Sequence, residues 1–495
     1  MVGKVTLVGA GPGGRDLLTL RGAEGLHQAE AVVYDRLVSP EILDLIPDSA
    51  ERINVGKENN HHPVPQQQIN GILVQLAKSG KNTVRLKGGD CYLFGRGGEE
   101  CEFLLAHGIP FEVVPGVTSA FAVPAYAGIP VTHRDYCSSV HVITAHARAG
   151  QPLNIPFDAL VKTGGTLVFL MGLTALPEIM HGLLEAGMEG TMPAAVISNG
   201  ARGNQKKVIA TVMTLAKRVH EAALKSPALI VVGKVCELNE SLDWFTPLPL
   251  HGQTIAVTRP KERSGTLAGK LRALGANVVE CPCIETVEVE DPALLKFELT
   301  ESWDWVVLTS PTGVSAMVHA LQRAGTDLRA LYGMRFAVIG SGTAKVLTQY
   351  GIEPDVMPQI YDAKHLAEAL IEAAGPEERI LILRAAQGSP ELTARLREAE
   401  ITFADVATYE TRFRTDKADL LRDAAANGTL DIVTFTSVST VKGFMEAVGP
   451  IDTGTFVAVC IGEQTASCAK KYGMRVKIAK KATIDAMIDC LLEES

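Results

Sequence analysis

The chain has 495 residues and no apolar run near the roughly 20 residues needed to cross a bilayer, so no membrane span is expected. It also lacks a charged prelude or cleavage site around the apolar stretch Val5–Ala10, which runs straight into a glycine turn. No signal peptide is therefore expected, and the cytoplasm is the expected compartment. Positive charge is not in excess: 47 Lys and Arg stand against 56 Asp and Glu, a net charge of −9. Without a basic footprint, nucleic acid is not an expected partner. An anionic ligand would need locally placed cations. The nine cysteines form no C-x-x-C pair, and only Cys281 and Cys283 sit close, as C-P-C. That pattern excludes a zinc-ribbon reading and favours reduced, mostly buried thiols. His61, His62 and His146 have neither i, i+4 partners nor a carboxylate at ligand spacing, so no metal is expected.

With apolar residues at 46% and charged residues at 21%, there is enough apolar surface to offset chain entropy, which rules out disorder. The length predicts three or four domains. Short β-rich runs (Lys4–Val8, Ala31–Tyr34, Thr83–Leu86, Thr166–Leu170, Leu229–Val232) alternate with longer helical patterns, and 46 glycines and 25 prolines punctuate them. This rhythm reads as α/β with largely parallel sheets. The segment Leu242–Gly252 (LDWFTPLPLHG) has no helix or strand period, and Thr254–Thr258 restarts the pattern as a fresh first strand. It is read as the main linker.

The second half repeats itself. Ile255–Arg259 (IAVTR) returns as Ile380–Arg384 (ILILR), and Glu285-Thr286 as Glu410-Thr411. Leu308-Thr309-Ser310 matches Phe435-Thr436-Ser437. Ile339-Gly340 with Thr343-Ala344 matches Ile461-Gly462 with Thr465-Ala466. Two similar lobes facing each other would make a cleft lined by paired Thr-Ser turns.

In the first half, Gly9-Ala10-Gly11-Pro12-Gly13-Gly14 satisfies G-x-G-x-x-G after a strand, with Asp35 at the end of the next strand. That is a dinucleotide fingerprint, with the acid set for a ribose hydroxyl. Pro12 weakens it by removing an N–H from the turn. The segment Arg85–Glu100 (RLKGGDCYLFGRGGEE) is richer still. Its glycines allow close backbone approach, Asp90 offers a fixed acceptor, and Arg96 offers a planar fork for a carboxylate.

The motifs GAGPGGRDLLTLRG, YDRLVS, VGK, RLKGGDCYLFGRGGEE, FEVVPGVTSAFAVPAYAGIPVTHRD and FLMGL occur in this order over residues 9–173. Together they closely resemble the uroporphyrinogen-III C-methyltransferases of the tetrapyrrole methylase family. The resemblance covers residues 1–245. It implies two α/β lobes (1–114 and 115–245), a homodimer, and S-adenosylmethionine bound between the lobes, with no metal and no NAD. By position, Pro12, Gly88, Gly89, Asp90, Leu93, Thr118, Ser119, Met171 and Gly200 match cofactor contacts. Asp35 and Lys57 match the positions of proton acceptor and donor, and Arg96, Glu99 and Arg134 match residues at the tetrapyrrole. Arg96, Asp35 and Glu99 are the catalytic candidates for the route of the pyrrole N–H proton, with Arg96 read as anchor rather than base at the usual pKa of arginine. The chain departs from the family at Gly13-Gly14-Arg15-Asp16, where G-D-P is usual, and at Cys91, where Pro is usual.

After a linker at 246–252, residues 253–495 resemble uroporphyrinogen-III synthase. The motifs that carry this are Val257–Pro260, Leu308–Pro311, Ile339–Ala344, Tyr409, Phe435–Ser437 and Ile461–Ala466. The implied topology has one lobe from 253–283 plus 413–495 and another from 289–407, joined by strands near 284–288 and 408–412. Arg259, Thr309, Ser310, Thr343, Ser437 and Thr465 are the expected substrate ligands. Tyr409, whose repeat counterpart is the apolar Ile284, is the expected acid. The whole is expected to cyclise hydroxymethylbilane to uroporphyrinogen III and to methylate that twice to precorrin-2, on the way to siroheme and cobalamin-type corrinoids. The alternatives are a methyltransferase with a non-catalytic tetrapyrrole-binding second half, or a nicotinamide-dependent oxidoreductase.

Overall fold

A computed structural model describes residues 2–56, 64–145, 153–289 and 302–493, except for the side chains of 261–265. Lys57, His61, His62 and His146 lie outside the described residues. The described residues fold into four five-stranded sheets. The first contains β1 (Val5–Gly9), β2 (Ala31–Tyr34), β3 (Glu51–Asn54), β4 (Thr83–Lys87) and β5 (Phe111–Val114), in the order β3-β2-β4-β1-β5, all parallel. The second contains β6 (Val140–Thr144), β7 (Thr166–Leu170), β8 (Pro193–Ser198), β9 (Lys206–Thr211) and β10 (Ala228–Val232), in the order β6-β7-β10-β8-β9.

In this second sheet the expectation of largely parallel pairing fails. Only β6 and β7 run parallel, and the other three pairs are antiparallel. For β8 and β9 the reason is connection length: they are joined by the short turn 199–205, which cannot hold a crossover. That turn also lines the cavity between the first two sheets.

The second half comprises β11 (Thr254–Val257), β12 (Asn277–Glu280), β13 (Ile284–Glu288), β14 (Trp305–Leu308), β15 (Arg335–Val338), β16 (Arg379–Ala385), β17 (Thr402–Phe413), β18 (Ile432–Phe435), β19 (Val457–Cys460) and β20 (Arg475–Ile478). The orders are β12-β11-β18-β19-β20 and β13-β17-β16-β14-β15. The run β12-β11-β18-β19 in one sheet superposes in order on β17-β16-β14-β15 in the other, so the sequence repeat is a repeat of topology. The ends of the half build one sheet and its middle builds the other. β13 and β17 pass between them as an antiparallel pair.

Each sheet has a separate apolar cluster on each of its two faces, eight clusters in all among the described residues. Burial on both faces is why strands such as Thr166–Leu170 (TLVFL) read as continuous apolar runs rather than alternating ones. The nine cysteines are free thiols, six of them buried.

The segment read as a linker is packed rather than loose. Tyr126, Trp244 and Phe245 form a ring cluster with centroids 4.9–5.5 Å apart. Leu250 is fully buried in the core of the third sheet. Gly252 N donates to Gly203 O at 2.8 Å. The halves also meet through charge: Arg272 Nε lies 2.8 Å from Glu41 Oε1, and Lys417 Nζ lies 2.5 Å from Asp44. Arg272 reaches Glu280 as well, at 2.8 Å.

Candidate active site between the first two sheets

A cavity of about 560 Å³ opens between the first and second sheets. Its first-lobe wall is built by two glycine turns that lock together. Gly11 N donates to Gly89 O at 3.0 Å, Gly89 N donates to Gly11 O at 2.9 Å, and Ala10 N donates to Lys87 O at 2.7 Å. The amides of Ala10 and Gly11 are thus engaged inside the protein, and Pro12 has none to offer. A 3-10 turn, Arg15–Leu17, follows Gly14 directly, and the next α-helix, Leu20–His27, is capped by Thr19. The dinucleotide fingerprint therefore has no α-helix N-terminus at its turn, and the amides of Ala10 and Gly11 are taken up by the segment Lys87–Gly89. Close approach also explains Gly116: a Cβ there would lie 2.3 Å from Gly89 O and 2.7 Å from Gly9 Cα.

Backbone strain concentrates on this cavity. Seven non-glycine residues among those described have positive φ, and Phe94, Arg96, Met171 and Asn199 all line it. Left-handed backbone at such residues costs on the order of 1–3 kcal/mol each and gathers where function requires it.

Of the residues matched to cofactor and substrate, Pro12, Asp35, Gly88, Gly89, Leu93, Arg96, Ser119, Met171 and Gly200 line the cavity. Asp90, Thr118, Glu99 and Arg134 are not in its wall. The Asp90 carboxylate, expected as a fixed acceptor, accepts from the backbone. Tyr92 N and Leu93 N donate to Oδ1 at 2.8 and 2.9 Å, and Gly116 N donates to Oδ2 at 2.9 Å. Thr118 caps the helix Ser119–Tyr126. Arg134 is exposed in the turn His133–Cys137. Glu99 grips Arg96 with two bonds of 3.0 and 2.7 Å. Hydrogen bonding to Glu99 raises the Arg96 guanidinium above its ordinary value. The same bond lowers the Glu99 carboxyl.

The floor of the cavity holds a charge network that the motifs did not single out. Arg85 and Lys87 lie two residues apart on β4, so both project to one face of the sheet, and both are buried. Glu100 Oε1, fully buried, accepts from Arg85 Nε at 3.1 Å, Lys87 Nζ at 2.8 Å and Gln66 Nε2 at 2.9 Å. Arg85 Nη2 donates to Asp35 Oδ1 at 2.7 Å. Burial pushes the Glu100 carboxyl upward, but Arg85 and Lys87 outweigh it and hold the group below its usual value. Burial, reinforced by Arg85, lowers the Lys87 ammonium despite Glu100 and Asp35. The detectable sequence signal was two cations at strand spacing on a strand otherwise suited to a core.

Arg202, on the β8–β9 turn, was also missed. It reaches from the second lobe to Leu37 O at 3.0 Å and Pro12 O at 3.4 Å, tying the lobes across the cavity. Burial lowers its guanidinium from the usual value.

In the second half, the matched side chains gather at the C-terminal ends of parallel strands, where open α/β sheets bind ligands. Thr309 and Ser310 follow β14, Arg259 follows β11 and Ser437 follows β18. Ser310 Oγ accepts from Gly313 N at 2.9 Å and lies 2.7 Å from the Tyr409 hydroxyl. A bulge in the β16–β17 pairing, at Arg384/Ala385, sets Tyr409 opposite Ala385. Such bulges re-aim side chains. Ser437 caps the helix Val438–Val448 in a capping box with Thr440. Thr343 and Thr465 are buried in the first turns of the helices Ser341–Gln349 and Glu463–Lys471.

Among the described residues no three His, Cys, Asp or Glu side chains gather as a metal would require, and no helix is long and apolar enough to cross a membrane.

Residues 4–216 match the family of tetrapyrrole (corrin/porphyrin) methylases, and residues 265–489 match the uroporphyrinogen-III synthase HemD family. The porphyrin biosynthesis protein HemD of Ruminiclostridium josui is 50% identical over 493 residues, 99% of this chain and 98% of that protein. The siroheme synthase of Stutzerimonas stutzeri is 50% identical over 244 residues, 49% of this chain; the chain spans about half (52%) of its length. A crystal structure of uroporphyrin-III C-methyltransferase from Thermus thermophilus, complexed with S-adenosyl homocysteine, is 36% identical. It covers 48% of this chain and 100% of its own, with a TM-score of 0.42.

Proposed function

For a chain that belongs to the family joining a tetrapyrrole methylase to a uroporphyrinogen-III synthase, we propose two successive activities. The second half cyclises hydroxymethylbilane with inversion of the last pyrrole to uroporphyrinogen III. The first half methylates that product twice, with S-adenosylmethionine as donor, to precorrin-2.

The observation that carries this reading is the cavity between the first two lobes, large enough for a cofactor and a reacting ring together. Methyl transfer moves positive charge from sulfur to an electron-rich pyrrole carbon. It requires alignment of the two reactants and an acceptor for the ring proton. Gly88, Gly89, Met171 and Gly200 bring backbone close to the methyl donor. Asp35 is the carboxylate in the wall and takes the proton. Arg36 and Arg96 supply cations for the carboxylates of the substrate. In the second half the linear tetrapyrrole closes without help to the uninverted isomer, so catalysis must favour one conformation over another. Hydroxyl and amide donors at the strand ends hold the carboxylates, and Tyr409, bonded to Ser310, assists departure of hydroxide.

The test is anaerobic incubation of the whole chain with fresh hydroxymethylbilane, with and without S-adenosylmethionine, followed by isomer-resolving chromatography and mass analysis. Isomer III without the donor and a doubly methylated product with it are expected. Isomer I alone would remove the synthase reading. Direct supply of isomer III would then decide the methyltransferase reading by itself.

A further inference from the structure

The network on the cavity floor has a geometry that packing alone does not call for. The central strand β10 of the second sheet is ALIVV, entirely apolar, whereas β4 of the first sheet buries two cations. Burying unpaired charge is costly, and Glu100 answers it with one oxygen that accepts from Arg85, Lys87 and Gln66 together. The other oxygen of Glu100 is buried and has no partner among the described residues. The Arg85 guanidinium is gripped from two sides: Glu100 holds Nε, Nη1 donates to Val33 O and Leu86 O at 3.3 Å each, and Nη2 remains for Asp35 Oδ1. Asp35 is the member of the network that reaches solvent, its side chain 31% exposed, and its Oδ2 has no partner among the described residues.

We propose that Glu100 and Arg85 are positioning residues for the methyl-transfer site: Glu100 anchors Arg85, and Arg85 fixes one oxygen of Asp35 so that the other faces the reacting ring. The inference rests on Asp35 as the proton acceptor. In that step the pyrrole carbon forms a bond to the methyl group with its π electron pair, and the carbon–sulfur bond breaks to leave a neutral thioether. The ring, now cationic, loses its N–H proton to Asp35 Oδ2, and the electron pair of that bond returns to the ring. Protonation of Asp35 would leave Arg85 buried without a counter-charge if Asp35 were its only partner. Glu100 supplies the counter-charge that stays, so Asp35 is free to change charge during turnover.

Two variants of the full chain test this with isomer III and S-adenosylmethionine. Glu100→Gln keeps the shape and the accepting oxygen but removes the permanent counter-charge. Arg85→Lys keeps the charge but loses the fork that joins Glu100 to Asp35. In each, kcat is expected to fall at least tenfold while KM for both substrates and the Kd for S-adenosylhomocysteine stay within threefold. The solvent deuterium isotope effect on kcat is expected to grow as proton transfer becomes slower. Unchanged kcat in the variants would overturn the proposal. So would a loss of kcat, substrate affinity and S-adenosylhomocysteine binding together, because that is the pattern of a purely structural network. Should Glu100→Gln fail to fold, Arg85→Lys decides by the same criteria, and failure of both to bind S-adenosylhomocysteine also overturns it. Wild-type chain that forms no methylated product would instead defeat the reading of the site as a methyltransferase.

Discussion

Replacing Asp90 by asparagine separates a residue that touches the cofactor from one that builds the wall around it. The aspartate accepts three backbone N–H bonds, from Tyr92 and Leu93 to Oδ1 and from Gly116 to Oδ2. Asparagine can place its carbonyl at Oδ1 and keep two of them, but its amide then points a donor at Gly116 N–H. Two charge-assisted bonds become neutral, at about 1 kcal/mol each, and one half-buried donor is left unmatched at about 1–3 kcal/mol. The expected loss is ~3–5 kcal/mol, equivalent to about 6–20 °C in the melting temperature of a unit of this size. Thermal unfolding measured with and without S-adenosylhomocysteine checks it. Affinity should weaken only as far as the two turns separate. A variant that melts within about 2 °C of wild type yet binds S-adenosylhomocysteine tenfold more weakly would refute the reasoning, because Asp90 would then act on the ligand directly.

Tyr409→Phe loses one hydroxyl bond to Ser310, about 1 kcal/mol. It should cut the yield of isomer III while leaving the melting temperature nearly unchanged, and an undiminished yield would remove Tyr409 from the reaction. Gly200→Ala places a Cβ 2.1 Å from Val123 Cγ1 and should cost about 1–3 kcal/mol. Adding Val123→Ala should recover part of that loss in thermal unfolding, since the clash is with a side chain. Arg272→Ala removes the cation shared by Glu41 and Glu280 between the halves. Burial, opposed by Arg272 and Arg15, already holds the Glu41 carboxyl above its ordinary value. The folded variant therefore takes up that proton before the unfolded chain does. Its deficit in stability, about 3 kcal/mol at neutral pH, should shrink as pH falls toward 5 in denaturant titrations. A deficit that grows on acidification would contradict the assignment.

The sequence alone determined what depends on local pattern and on order along the chain. Continuous apolar runs marked strands such as Ala31–Tyr34 and Thr166–Leu170, because strands buried on both faces have no polar side to show. The repeat of IAVTR as ILILR announced two sheets of one topology, since equal patterns at equal spacing build equal strand orders. The glycine turns and RLKGGD marked the place of the cavity. Tertiary structure decided what depends on partners distant in the chain. In the G-x-G-x-x-G turn Gly11 pairs with Gly89 of a second glycine turn, 78 residues away, a pairing invisible to any local motif. The direction of β10 could not be read from its residues, because a fully buried strand looks the same in either orientation. The Asp90 carboxylate, a fixed acceptor in the sequence, gains its third backbone donor only once Gly116 meets it. Arg85 and Glu100, 15 residues apart, and Asp35, 50 residues from Arg85, meet only after β2 and β4 pair and the helix Gly97–Ala106 lies on them. Side-chain identity set which groups could ionise. Burial and proximity, properties of the folded chain alone, set which of them hold charge at the floor of the cavity.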